Sequence, residues 1–445
     1  MKQGLGTSER VTFDDVESRL MLAASSGGSP GLERIGHLLR LLGNPQNAYP
    51  VLHVVGTNGK GSTCAFLASV LRAAGYRTAL YSSPHLETLG ERLLIDGRPL
   101  DADRWGEAVT RVLETVRGDA PLEGAPPSYF ELISATAFLL ASEERVDVAV
   151  VEAGLGGRLD ATNLSENVVC SVVTSISMDH TEYLGDTLEK VAGEKFAVVR
   201  PDVPACFLGD NPGLIPLFKS FCNRRGALPF VVSEVAELEN VRIDETGCSF
   251  DFRSPGLALK GVRTRMIGRY QVSNAALALL AIDRVRDRFV RLSPESVRKG
   301  MEIAFWPGRL ELLGLHPPVL LDGGHNQDGV DKLVKSVREL WPNRRIGVVY
   351  STMRDKDYGS CLELLAELSA VLYATSVPGV SRSLPPDELE RAASRFAWRA
   401  PPRRFELPVE ALDAAMGEND LVLVCGSLYL IGWIRPVLTR RLEGE

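Results

Sequence analysis

Three glycines and one lysine stand close together in Gly56-Thr57-Asn58-Gly59-Lys60-Gly61-Ser62, between the apolar run Val51–Val55 and a stretch of helical patterning over about residues 62–74 that Gly75 ends. A strand, a glycine-rich turn and a helix in that order let backbone N–H groups and the helix N-terminus surround phosphate oxygens, while Lys60 reaches the outer phosphates. Thr57, Asn58, Gly59, Lys60, Gly61 and Ser62 are therefore the expected nucleotide contacts. The spacing Gly-x-x-Gly-Lys is shorter than Gly-x-x-x-x-Gly-Lys, and Gly61 stands where that pattern has Ser or Thr. The plain alternative is a turn without a ligand, since Gly and Asn serve turns well. By itself the loop speaks for ATP and no more.

Further along, an apolar run ends in Glu152, which puts a carboxylate at the C-terminal end of a strand, where open α/β sheets hold ligands. Magnesium takes hard oxygen donors of this kind. The glycine-rich residues 153–163 allow close backbone approach to a ligand, or else form a surface loop. Met178-Asp179-His180 follows a second apolar run, so His180 emerges near Glu152 if the two strands are neighbours. Lys195 reads from its residues alone as a solvated helix cation. In Asp322-Gly323-Gly324-His325-Asn326 two glycines again permit backbone approach, and the polar groups suit sugar or phosphate contacts; a tight turn with an incidental His is the alternative.

These groups need a scaffold, and the alternation of short β-branched runs with amphipathic stretches predicts an α/β fold with a parallel sheet covered by helices. Strands are expected at residues 51–55, 78–81, 147–151 and 168–175, then at 319–321, 346–350, 371–375 and 421–424. Helices are expected at residues 272–288, 330–340 and 362–368. The break at Phe305-Trp306-Pro307-Gly308 predicts two domains, 1–304 and 305–445, and a hinge near Pro307. Within the first, residues of about 228–265 change to short alternating segments around Glu245-Thr246-Gly247, read as a small antiparallel subdomain.

The 445 residues exceed one ordinary core, and 45% hydrophobic with 24% charged residues is globular composition. A net charge of −7 with no basic run excludes nucleic acid and anionic membrane as expected partners. The seven cysteines form no Cys-x-x-Cys pair, and residues 1–15 lack a signal-peptide core, so a reduced cytoplasm is expected.

Several further segments join these: Gly31-Leu32-Glu33-Arg34-Ile35, Leu42-Gly43-Asn44-Pro45-Gln46, Ser82-Ser83-Pro84-His85-Leu86, Asp355-Lys356-Asp357, Leu384-Pro385-Pro386 and Cys425-Gly426-Ser427-Leu428-Tyr429. In order and spacing the set, from about Gly28 to Arg435, resembles the folylpolyglutamate synthase branch of the Mur ligase family. The resemblance implies a P-loop ATPase domain with a parallel sheet, a C-terminal Rossmann-like α/β domain, and a cleft between them where L-glutamate is joined to a pterin or folate through an acyl phosphate.

It further implies magnesium at Ser83, Glu152 and His180, and a carbamylated Lys195, with Lys60, Glu152, His180 and Lys195 as the catalytic set. ATP positions are implied at Asn274, Arg309, Asp322 and His325. Dihydropteroate contacts are implied at Ser128, Tyr129, Phe130, Glu131, Leu159, Asp160 and Ala161, and the stretch from Arg158 to Asn163 looks more like bifunctional enzymes. Phe196-Ala197 departs from the family's usual Ala-Gly after the lysine. A monomer is expected. The rivals are another Mur-family amide ligase, which would ordinarily need a further N-terminal domain, and an ATP-binding switch that performs no synthesis.

Overall fold

The computed structural model describes residues 11–25 and 31–444; the readings that fall on residues 1–10 and the start of the resemblance at Gly28 lie outside the described residues. The first domain is organised by an eight-stranded sheet in the order 98–99, 93–95, 78–81, 148–152, 51–55, 168–173, 204–207, 228–231. The six strands from 78–81 onward are mutually parallel, and the two short ones at the edge are antiparallel. Strands Val51–Val55, Val148–Glu152 and Val168–Val173 are buried at every position, which is why they read as largely apolar runs instead of alternating ones.

Helices cover both faces. On one, Lys60–Ala73 and the Ala/Leu-rich Arg269–Val285 pack with Pro294–Ile303. A Cβ on Gly300 would lie 2.4 Å from Val70 Cα, so glycine sets the closeness of that helix crossing, and Ser69 Oγ donates to Gly300 O at 2.8 Å. On the other face lie Ala102–Arg117 and Tyr129–Glu143.

The strands leading to Glu152 and to His180 are not neighbours: the phosphate-loop strand Val51–Val55 runs between them. The condition placed on His180 therefore fails as stated, yet both groups flank the phosphate loop. Residues 228–231, assigned above to the small subdomain, form the edge strand of the large sheet. The antiparallel addition consists of Glu237–Asp244, Gly247–Ser254 and Leu257–Thr264, with its hairpin turn at Glu245 and Thr246. Its Phe250, Phe252, Leu259 and Val262 close over the helix Arg269–Val285.

A six-stranded sheet organises the second domain, in the order 309–313, 319–322, 421–425, 346–350, 371–374, 403–404, antiparallel only at the first pair. Gln327–Leu340 and Tyr358–Ala366 cover one face, Pro408–Glu418 and Leu428–Glu443 the other. Among the described residues no helix is long and apolar enough to cross a membrane.

Candidate active site

A cavity of about 350 Å³ lies between the domains, at the C-terminal ends of both sets of parallel strands. All fourteen residues expected to act in catalysis, hold magnesium or bind ATP line it: Thr57, Asn58, Gly59, Lys60, Gly61, Ser62, Ser83, Glu152, His180, Lys195, Asn274, Arg309, Asp322 and His325.

The phosphate loop is shaped by what presses on its glycines. Gly59 has φ +86°, and a Cβ there would meet Asn274 Oδ1 at 2.4 Å. At Gly61 a Cβ would lie 2.5 Å from Trp306 Nε1. That indole, from the segment joining the domains, accounts for glycine where longer phosphate loops carry a hydroxyl residue, and it means the expected hinge segment is packed against the loop. Lys60 Nζ donates to Gly56 O at 3.3 Å and Thr57 O at 3.1 Å, folded over the loop's carbonyls.

Lys195 is not the solvated cation its residues alone suggested. It is 3% exposed, and its Nζ donates to Gly56 O at 2.8 Å. Burial, reinforced by the charge of Lys60, lowers its pKa to about 7. Phe196 turns the opposite way, into a cluster with Phe207, Phe218 and Phe221 at centroid distances of 5.3, 5.2 and 5.9 Å. Each such contact adds about 0.5–1.5 kcal/mol to ordinary burial, so the bulky ring serves the core and leaves Lys195 facing the loop.

Glu152, 5% exposed, has its pKa raised by burial, against which Lys60, Arg309 and a hydrogen bond from the Ser83 N–H act. Among the described residues no group of three or more His, Cys, Asp or Glu is arranged to hold a metal. One carboxylate and one adjacent hydroxyl beside a phosphate loop nevertheless suit magnesium, which keeps water and phosphate oxygens around it. His180 lines the same cavity at φ +51°, its pKa lowered by burial despite Asp179.

From the second domain, Asp322 arrives with its carboxylate already engaged. Oδ1 accepts from Gly324 N at 2.8 Å, and Oδ2 from Leu310 N at 2.9 Å and Tyr270 OH at 3.2 Å. It holds its own glycine turn in shape. His325, lowered to about 4 by burial and by the Lys356 charge, is neutral near pH 7.

What the sequence does not assign is how the cavity closes, although the residues that close it stand in motifs already singled out. Asn58 and Asn326 exchange amide hydrogen bonds, both at 3.1 Å, and Asn58 Nδ2 also donates to Asp328 at 2.8 Å. Asp179 receives Lys356 Nζ at 2.9 Å and Asn326 Nδ2 at 3.0 Å. Burial alone would raise Asp179, but His180, Lys356 and His325 together outweigh it and hold the carboxyl well below the usual range. The segment Asp355-Lys356-Asp357 had been singled out without a role, and Asp179 stood beside His180, so both signals were present.

The seven expected dihydropteroate contacts do not line this cavity. Ser128 caps the helix Tyr129–Glu143 in a reciprocal pair with Glu131, whose carboxylate also binds Arg34 at 3.0 Å. Asp160 is buried, accepts from Leu155 N at 2.7 Å and Thr162 N at 3.0 Å, and organises the loop after Glu152; Ala161 is buried beside it, while Leu159 is 37% exposed. Tyr129 is half-buried, its OH donating to Glu17 at 2.6 Å and its ring lying under Arg92. Two of the seven stand directly behind the cavity wall: Asp160, through its bond from Leu155 N, and Phe130, whose ring a Cβ on the lining Gly154 would meet at 2.4 Å.

Residues 54–282 match the family described as Mur ligase middle domain, and residues 308–428 match Mur ligase, glutamate ligase domain. The chain is 34% identical over 431 residues to the dihydrofolate synthase/folylpolyglutamate synthase of Bacillus subtilis, covering 96% of this chain and 99% of that one. Mycobacterium tuberculosis folylpolyglutamate synthase complexed with ADP superposes with a TM-score of 0.88 at 30% identity, over 96% of this chain and 98% of that one. Escherichia coli FolC in complex with DHPP and ADP gives 0.86 at 29%, over 98% and 100%.

Proposed function

Since the chain belongs to the folylpolyglutamate synthase and dihydrofolate synthase branch of the Mur ligase family, we propose that it joins L-glutamate to both dihydropteroate and reduced folates, as a bifunctional enzyme. That it is an ATP-dependent ligase forming an amide with glutamate follows from the family itself. The observation that carries the reading is the convergence of the phosphate loop, Glu152 and the Asp322–Asn326 turn on one inter-domain cavity.

A carboxylate resists an amine because its charge repels the nucleophile and oxide is a poor leaving group. In the proposed sequence the acceptor carboxylate oxygen attacks the γ-phosphorus of ATP and ADP leaves. The glutamate amine then attacks the acyl carbon, phosphate departs, and the nitrogen loses a proton as the amide forms. Lys60 and the loop amides offset charge on the transferred phosphoryl oxygens, where fixed positive groups act most strongly. Ser83, Glu152 and His180 would hold magnesium, which when bound supplies further charge neutralisation at the phosphates.

Asn274 and Arg309 are the proposed remaining nucleotide contacts, with His325 beside the phosphates. Asp322 and Asn326 keep their turn in place, and Asn58, Asp179 and Lys356 hold the domains together so that water is excluded from the acyl phosphate. Lys195 is proposed as the carbamylated residue: at a pKa of about 7 much of its amine is unprotonated near neutrality, the form that reacts with carbon dioxide. Phe130 and Asp160 are the preferred pterin contacts among the seven, because they back the cavity wall at Gly154 and Leu155. ADP release that requires both glutamate and a pterin acceptor is the test.

A further inference from the structure

The segment after Ser83 is held from outside its own domain. Leu86 N, Glu87 N and Thr88 N all donate to the Glu91 carboxylate, at 2.7, 2.9 and 2.9 Å, so residues 86–91 form one closed turn. The second domain seats that turn at two points. A Cβ on Gly432, in the helix Leu428–Glu443, would lie 1.9 Å from Leu86 O, so the turn's backbone rests directly on the helix. One turn of helix away, Arg435 Nη1 donates to Glu87 Oε1 at 2.6 Å. The other edge of the guanidinium grips Glu311: Nε donates to its two oxygens at 3.1 and 3.0 Å, and Nη2 to Oε1 at 3.0 Å.

Glu311 is 7% exposed and also accepts the Gly308 N–H at 2.9 Å, and it lies two residues from Arg309 on the first strand of the second domain. Arg435 thus joins three places: the segment linking the domains, the C-terminal helix, and the turn that follows Ser83. A planar fork filled on two edges fixes position as well as charge, which a lysine cannot reproduce.

We propose that Arg435 is a positioning residue for phosphoryl transfer: with Glu311 as its anchor it draws Glu87, and through the 86–91 turn Ser83, into register with Glu152 when the domains are together. The proposal rests on the ligase reading for its kinetic consequence, but the placement of the turn is readable without any substrate.

Two variants separate this from simple stabilisation. Arg435→Gln removes both grips; Glu87→Gln weakens only the arm to the turn and leaves the Arg435–Glu311 pair whole. Hydrogen exchange on the full chain is expected to show faster exchange at the amides of Leu86, Glu87 and Thr88 in both variants, with the buried helix Arg269–Val285 unchanged. Turnover is expected to fall about 10- to 100-fold in Arg435→Gln, the scale of a displaced reacting group, with Arg435→Lys recovering only part and ADP affinity unaltered. Unchanged exchange at residues 86–88, or a uniform rise across the chain matching the loss of activity, would overturn the proposal. If exchange responds as expected but no glutamate-dependent turnover exists in the wild type, the ligase reading fails and the positioning of the turn stands.

Discussion

Lys356 Nζ donates to Asp179 Oδ1 at 2.9 Å, joining residues 177 apart in sequence and on different domains. The two side chains are 13% and 11% exposed, so their attraction is little screened and neither is easily left alone. Asn326 on the other carboxylate oxygen completes a small polar seal beside the phosphate loop.

Asp179→Asn and Lys356→Met should each lower kcat/KM for ATP by about tenfold or more, and the double variant should lose less than the two losses combined. A coupling of roughly 1–3 kcal/mol in that cycle is expected for partners in contact. Because the Asp179 pKa is depressed, its contribution is complete above the unfolded carboxyl pKa and is lost only as pH falls through the still lower folded value. The coupling should therefore be the same at about pH 5 as at about pH 8; additive losses would remove the pair from the account.

Among the described residues, Lys60 Nζ donates to two backbone carbonyls of its own loop, Gly56 O and Thr57 O. Lys60→Ala should cut kcat by about 10²–10³, the usual scale for a lost charge-stabilising donor, while thermal unfolding shifts little. Near-normal turnover would show that the phosphates lie elsewhere.

Gly61 is predicted to tolerate no side chain while Trp306 stays in place. Gly61→Ser should destabilise by about 1–3 kcal/mol, as overpacking does, and the added Trp306→Ala change should restore part of that loss. A stable single variant with unaltered tryptophan emission would contradict the contact.

The Lys195 pKa of about 7 in the folded chain lies below the roughly 10.4 of an unfolded lysine. Between those values the unfolded chain binds a proton that the folded one does not, so folding stability rises with pH across the window, by at most about 1.4 kcal/mol per pH unit. Denaturant unfolding without bicarbonate should show the wild type gaining on Lys195→Met from about pH 7 upward. Parallel curves would mean that Lys195 is charged when folded.

Gly59, Lys60 and Glu152 were legible because loop and strand end are local features, set by a few neighbouring residues. Lys195 was not, since its burial depends on the loop it meets at Gly56, 139 residues away. The Glu87–Arg435 contact, spanning 348 residues, has no local signature at all. Strand 228–231, Leu-Pro-Phe-Val, was drawn into the wrong sheet because so short an apolar edge strand carries no mark of the sheet it joins. Asp160 and Glu131, which the family resemblance places at the dihydropteroate site, also serve backbone N–H groups and Arg34, partnerships that no local pattern announces.

The measurement that bears most directly on the central claim is ADP release by the purified protein with ATP, magnesium and L-glutamate, comparing dihydropteroate, tetrahydrofolate and no acceptor. Stimulation by each acceptor, absent when glutamate is omitted, is the predicted result. ATP turnover indifferent to glutamate and to both pterins would contradict it.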